Sequence, residues 1–306
     1  MGFDGFVGRG GEVDRLRGLV AEVAAGVGGV VWVVGEPGIG KSALVDVGVG
    51  GAAGLGVRVF AGAADELTQS FALRLVADCL GVGRGVVDGF RLEISDLLAG
   101  RAGVVDSVRA AGERLVGLVQ RECADSPVVV VGDDLQWADE ASLGVWSRLA
   151  EVAGQVPLLL VGVCRPVPRR VEVDRVREVV ASRAGAVVVE LGPLGGDEVA
   201  GMVAGLLSAP PGPGLRAGLE RAGGNPLYVR ELVDALVAEG SVRVVGGVAE
   251  VAGPVGPQVG SLGAAIGRRL GFLSGGVRSV LEAGAVLGGR FTVGDLAVVS
   301  GRPVVG

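Results

Sequence analysis

The residues Gly35-Glu36-Pro37-Gly38-Ile39-Gly40-Lys41-Ser42 bring three glycines, an ammonium and a hydroxyl into one short stretch. The spacing G-x-x-x-x-G-K-S is that of a loop wrapped around phosphate. Gly35, Gly38 and Gly40 free backbone N–H groups to converge on phosphate oxygens, and Ser42 offers a hydroxyl to Mg2+. Glu36, Pro37 and Ile39 complete the turn. Of the 28 Lys and Arg residues, all but Lys41 are arginine. A loop of this kind needs a compact point charge, which the planar guanidinium fork does not provide.

A second group of residues fits the same chemistry. Val128-Val129-Val130-Val131-Gly132-Asp133-Asp134 is an apolar run that ends in two carboxylates. A strand ending this way delivers an acid to a phosphate-bound metal. Asp133 is expected to hold Mg2+ through its water shell, and Asp134 to orient or deprotonate the attacking water. A strand-end Asp pair alone is often only a turn signal; the loop upstream gives it meaning. The run of residues 158–163 leads into Cys164-Arg165-Pro166, which places Arg165 at a sheet's C-terminal edge, where ligands bind. Arg165 is a candidate sensor of a terminal phosphate, or a surface Arg that starts a loop.

These groups need a scaffold. Residues 30–34, 57–60, 128–131, 158–163 and 187–191 are short, continuous Val- and Leu-rich runs, as in a parallel sheet covered on both faces. Helical patterns alternate with them. Residues 42–49 can follow the loop as a helix. Residues 105–121 set Val105, Val108, Leu115 and Val119 near one face. Asp139 caps a stripe of Leu143, Trp146, Leu149 and Ala153. The alternation predicts an α/β, doubly wound sheet. Past residue 191 the pattern turns helical, with a Gly/Pro break over residues 209–214. Residues 241–260 read as a linker or small hairpin, and residues 261–306 as helical again. Asn225, the only asparagine, would cap a helix that has Pro226 in its first turn.

Composition narrows the chemistry. Apolar residues make up 49% of the chain and charged ones 20%, which allows a buried core. The net charge is -6, with no long basic stripe, so this chain alone is not expected to hold nucleic acid. There is no histidine, which excludes imidazole catalysis and His-based metal sites. Cys79, Cys123 and Cys164 form no C-x-x-C pair and read as reduced thiols of a cytoplasmic protein. No apolar run is long enough to span a bilayer. The 58 glycines, many in helical stretches, predict a marginally stable fold that gains from a ligand.

In this order the motifs resemble the STAND branch of AAA-like P-loop ATPases, and most of all the N-terminal ATPase region of large LuxR-type transcriptional regulators. Phe6-Val7-Gly8-Arg9 with Glu12 is similar to the family's N-terminal motif, which implies that Val7, Gly8 and Arg9 lie on the adenine side. Gly10 stands where that motif usually carries an acid. The stretch 35–42 matches Walker A, and Asp133-Asp134-Leu135-Gln136-Trp137-Ala138-Asp139 matches the Walker B segment. Arg165 falls on the sensor position. Leu191-Gly192-Pro193-Leu194 resembles the opening of a helical lid. Gly224-Asn225-Pro226 matches the lid's G-x-P motif, which implies that Pro226 packs on adenine. Residues 266–273, with Leu281 and Gly288, resemble the start of a winged-helix region.

The resemblance implies a core over residues 1–192, a lid over 193–240, a linker or hairpin over 241–260 and a partial winged-helix region over 261–306. It also implies an ATP-binding, slowly ATP-hydrolysing switch that uses Mg2+ and self-associates when ATP is bound. DNA contact is expected only through a C-terminal helix-turn-helix of a longer product. The same module occurs fused to nucleotide cyclases and protein kinases. A nucleotide-binding scaffold without turnover and a metabolic phosphotransferase are the other classes. A GTPase is disfavoured, because the only Asn precedes Pro and the only Lys is Lys41, which leaves no N-K-x-D motif.

Overall fold

The computed structural model describes residues 6–83, 88–183, 185–251, 275–287 and 291–301. The chain divides into two compact units. The first comprises Met1–Ser208 with Ala222–Val229, and the second Ala209–Arg221 with Arg230–Gly306.

The first unit is built on five parallel strands: β1 (Gly29–Gly35), β2 (Arg58–Ala63), β3 (Val128–Asp133), β4 (Leu158–Cys164) and β5 (Val187–Leu191). Their order across the sheet is β2-β3-β4-β1-β5. The helices are α1 (Gly10–Ala24), α2 (Lys41–Val49), α3 (Arg74–Cys79), α4 (Gly89–Leu98), α5 (Ser107–Asp125), α6 (Glu140–Val152), α7 (Val171–Ala181) and α8 (Gly196–Leu207). The five strands expected from the sequence all form.

The continuous apolar runs are explained by a core on each face of the sheet. Strand side chains alternate in direction. Val30, Trp32 and Val34 of β1 join one core with residues of α3 to α7, while Val31 and Val33 join another with residues of α1 and α2. The same split divides Val128 and Val130 from Val129 and Val131 in β3. Gly162 in β4 makes room for the Trp32 ring, since a Cβ there would lie 2.7 Å from it.

Aspartates set the helix starts. The carboxylates of Asp88, Asp106 and Asp139 accept from Phe90, Arg109 and Ser142 N–H at the heads of α4, α5 and α6. The cap at Asp106 corrects one expectation. Val105 precedes α5 and is fully exposed, and Val108 is exposed as well. The buried stripe is Ala111, Leu115, Val116, Leu118, Val119 and Cys123.

In the second unit, α9 (Pro213–Leu219) precedes the antiparallel pair β6 (Val242–Val245) and β7 (Val248–Val251). Ala249 is fully buried. Its N–H donates to the Pro210 carbonyl, and its own carbonyl accepts from Gly212 N–H. Helix α10 (Pro226–Ala238) begins in the first unit and continues in the second. Helices α11 (Gly275–Leu287) and α12 (Val293–Ser300) follow. Thr292 and Asp295 cap α12 reciprocally. Residues 266–273 and Gly288, which carry the winged-helix expectation, lie outside the described residues. Among the described residues, no helix is long and apolar enough to cross a membrane.

Candidate functional site

The site lies at the C-terminal ends of β1, β3 and β4. Strand β1 is the topological switch point, because the chain leaves it for β2 and later returns to pair β4 and β5 on its two sides. The stretch from Gly35 to Gly40 turns from β1 into α2. Gly38 and Gly40 have φ of 75° and 97°, conformations that suit glycine. Gly40 precedes the first turn of α2 and supplies no capping side chain. A Cβ on Gly40 would meet open space. The head of α2 therefore presents its first N–H groups and its positive dipole end to an uncovered approach, as phosphate binding requires.

Lys41 is buried. Its Nζ donates to the Gly35 carbonyl at 2.8 Å and the Glu36 carbonyl at 2.9 Å. An ammonium has three protons, so one remains for a phosphate oxygen. Burial pulls the Lys41 ammonium below the ordinary lysine range, and Arg165 pushes the same way. Asp134 and Asp133 act against both.

The strand-end acids are held differently from one another. Asp133 accepts from the Ser42 hydroxyl at 2.5 Å through Oδ2 and from Asp134 N–H at 2.7 Å through Oδ1. The two groups predicted to share Mg2+ are thus in direct contact. Burial, and after it the charge of Asp133, raises the carboxyl of Asp46 on α2 above its usual range. Asp134 sits in the left-handed region at φ 52°, ψ 42°. Both its oxygens are engaged by Arg165: Nε lies 3.1 Å from Oδ1 and Nη2 3.0 Å from Oδ2. Gln136 Nε2 adds a third bond to Oδ1 at 2.8 Å.

The G-N-P turn reaches the same loop. Asn225 Nδ2 donates to the Pro37 carbonyl at 3.0 Å, and its Oδ1 accepts from Leu227 N–H at 3.1 Å. Asn225 is therefore the expected cap of α10 and also a clamp on the phosphate loop. Pro226 follows as the first residue of α10. Ile39 is buried in the core face that includes α1 and α2.

The N-terminal motif has other contacts. The Arg9 guanidinium donates to the Gly192 carbonyl and lies 3.6 Å from Glu12. Arg9 itself has φ 63°. A Cβ on Gly8 would strike Glu198 of α8, and one on Gly201 would lie 3.0 Å from Val7. Val7, Gly8 and Arg9 are thus packed against α8 and the exit of β5.

Two contributions escaped sequence reasoning. Gln136 is fully buried and bridges two site residues, and Asn225 uses its second amide end on the loop. For Gln136 the available signal was an amide set between Leu135 and Trp137 directly after the acid pair.

The residues present fit a nucleoside triphosphate with Mg2+. The loop offers an open cradle, a spare ammonium proton, and a hydroxyl beside a carboxylate. Among the described residues, no cluster of three His, Cys, Asp or Glu side chains is placed to hold a metal. Mg2+ bound through one carboxylate and phosphate oxygens needs no such cluster.

No curated protein sequence matches the chain. Among solved structures it is similar to the ORC1 protein of Aeropyrum pernix, described in complex with DNA. The TM-score is 0.55 at 17% identity, covering 97% of this chain and 78% of that one. A Walker-type ATPase of Pyrococcus abyssi gives 0.55 at 13% identity, covering 96% and 88%. Cdc6p of Pyrobaculum aerophilum gives 0.51 at 14%, covering 98% and 84%. At these identities the likeness is one of fold. The profile of the AAA ATPase domain matches residues 5–161, more than half the chain. That span holds the phosphate loop and both strand-end acids, and by it the chain belongs to the AAA ATPase domain family.

Proposed function

We propose that the chain is an ATP-binding, slowly ATP-hydrolysing switch of the STAND type, the regulatory ATPase region of a LuxR-type transcriptional regulator in the cytoplasm. The observation that carries this reading is the meeting of Lys41, Ser42, Asp133, Asp134 and Arg165 at one end of the sheet. The AAA ATPase family binds ATP with Mg2+. When bound, Mg2+–ATP supplies the phosphoryl group and the charge that neutralises it.

The residues then divide the work. The backbone from Gly35 to Gly40 and the third Lys41 proton bind phosphate oxygens. Ser42 and Asp133, hydrogen-bonded to each other, are the residues that would hold Mg2+, Asp133 through its water shell. Asp134 would orient or deprotonate the attacking water. Arg165, which holds Asp134, would contact the terminal phosphate of a bound nucleotide. By resemblance, Val7, Gly8 and Arg9 lie on the adenine side and Pro226 packs on adenine. Residues 1–192 form the core and residues 193–240 the helical lid, with residues 241–260 as linker or hairpin and 261–306 as partial winged helix. The ATP-bound form favours self-association, and hydrolysis resets it. The acidic net charge argues against DNA contact by this chain itself, and by resemblance such contact belongs to a helix-turn-helix domain of a longer product.

One observation favours a second reading, nucleotide binding without turnover. Both oxygens of Asp134 are engaged, which leaves it poorly placed to accept a proton. A single experiment separates the two readings. The purified chain is loaded with Mg2+–ATP, and binding, phosphate release over hours, and particle size with ATP against ADP are measured. Binding with slow release and a larger ATP-loaded particle is expected. Binding without release favours the scaffold, and absence of binding overturns both.

A further inference from the structure

We propose that Gln136 is the positioning residue of Asp134: its buried amide holds the carboxylate at Oδ1 so that Asp134 keeps its aim when Arg165 turns to phosphate. This inference rests on the reading of Asp134 as the acid that handles water.

The bonding fixes the amide's orientation. Gln136 Oε1 lies 2.9 Å from the Arg165 backbone N–H, which can only donate. The oxygen must therefore face β4, and Nε2 must face Asp134, 2.8 Å from Oδ1. One side chain thus ties the end of β3 to the first residue after β4. The turn that carries it is fixed too. Arg170 Nη1 donates to the Gln136 carbonyl at 3.1 Å and the Ala138 carbonyl at 2.7 Å.

Burial separates the two groups that hold Asp134. Gln136 is 0% exposed, whereas the Arg165 side chain is 33% exposed. An amide in so dry a place is costly unless both ends are bonded, so Gln136 has little freedom to leave. Arg165 has solvent beside it and can exchange partners. A buried amide serving packing alone needs only backbone partners. This one spends its donor on a carboxylate at the reaction site.

Gln136→Glu keeps the size and the acceptor facing Arg165 N–H, but sets an oxygen against Asp134 Oδ1. Gln136→Leu removes the donor. For both variants, and for Asp134→Asn, we would measure kcat, KM and equilibrium Mg2+–ATP affinity. Gln136→Glu should lower kcat at least as far as Gln136→Leu does, because an oxygen then faces Asp134 Oδ1 where a donor stood. Gln136→Leu should lower kcat about tenfold while ATP affinity changes less than about threefold. A wild-type kcat in Gln136→Glu overturns the role of Gln136, as does a parallel fall of kcat, affinity and melting temperature in both variants. Turnover that survives Asp134→Asn overturns instead the reading of Asp134. Should the Gln136 variants fail to fold, the wild-type protein still answers. The Gln136 side-chain amide proton should resonate away from the free-amide position through its bond to Asp134, and should move toward it in Asp134→Asn. An amide that ignores Asp134 overturns the assignment.

Discussion

The Asn225 amide reaches the Pro37 carbonyl at 3.0 Å, joining residues 188 positions apart. The same side chain caps α10 through Leu227 N–H. That N–H also lies 3.2 Å from the Gly38 carbonyl. Gly38 has φ 75°, and a Cβ there would come within 2.6 Å of Leu227 Cβ. The phosphate loop is thus shaped from outside, by the residue pair that opens α10.

Replacing Asn225 separates its two duties. Asn225→Asp keeps an oxygen for the Leu227 N–H but turns the other oxygen on the Pro37 carbonyl. It should leave the melting temperature near wild type and weaken ATP binding about tenfold, about 1.4 kcal/mol. Asn225→Ala loses the cap as well and should cost about 1 kcal/mol of stability besides. Calorimetric titration and thermal denaturation read the two effects apart. Wild-type affinity in Asn225→Asp would remove the clamp from the account.

Lys41→Met should weaken Mg2+–ATP binding by at least about 100-fold, about 2.7 kcal/mol, because no other cation carries a point charge into the loop. It should also change the response of the nucleotide-free protein to alkali. The Lys41 ammonium is pulled below the ordinary lysine range by burial first and Arg165 second. Between the lowered value and the ordinary one the folded chain holds fewer protons than the unfolded chain, so this group makes stability rise with pH. Denaturant unfolding at a series of alkaline pH values should show that contribution as the difference between wild type and variant. Identical slopes would count against a buried, charged Lys41.

Asp133→Asn and Asp134→Asn should fail in different ways. Asp133 touches Ser42, so its neutral variant should lose the Mg2+ dependence of ATP binding. Asp134 touches Arg165 and Gln136, so its variant should bind Mg2+–ATP normally and lose turnover by a factor on the order of 10² to 10⁴. Binding assays with and without EDTA, beside phosphate release, test this. Matching defects in the two variants would end the division of labour between the acids.

How much of this was legible in the sequence follows from the range of each interaction. The strands were legible because β1, β3 and β4 are covered on both faces and so are apolar throughout, apart from the acid that ends β3. The turn from β1 into α2 was legible because its spacing is local and rigid, and the placing of the acid pair because it ends an apolar run. The head of α5 was misread because Val105 continues the apolar pattern, while the cap at Asp106 starts the helix after it. The bonds of Gln136 to Arg165 and of Asn225 to Pro37 could not be read, since each joins strands or turns that only the folded sheet brings together. A buried amide carries no periodicity, and its partners are far away in sequence.

The cysteines give a last prediction, independent of nucleotide. Cys79 is buried between β2 and β3, where a Cβ on Gly62 would touch its sulfur and its Sγ donates to the Val131 carbonyl at 3.4 Å. Burial pushes its thiol up to about 12, and those of Cys123 and Cys164 to about 11. The thiolate is the reactive form, so iodoacetamide at pH 8 should modify none of the three until the fold opens. The same shifts have a cost in alkali. Each thiol keeps its proton in the folded chain after the unfolded chain has released it, so this contribution to stability is complete below the unfolded thiol value and is lost as pH rises through the folded one. Replacing Cys79 by Ala should therefore flatten the alkaline loss of stability, and mass spectrometry of the alkylated native protein should find three free thiols. Rapid labelling of Cys79 in the native state would show that the β2–β3 edge opens.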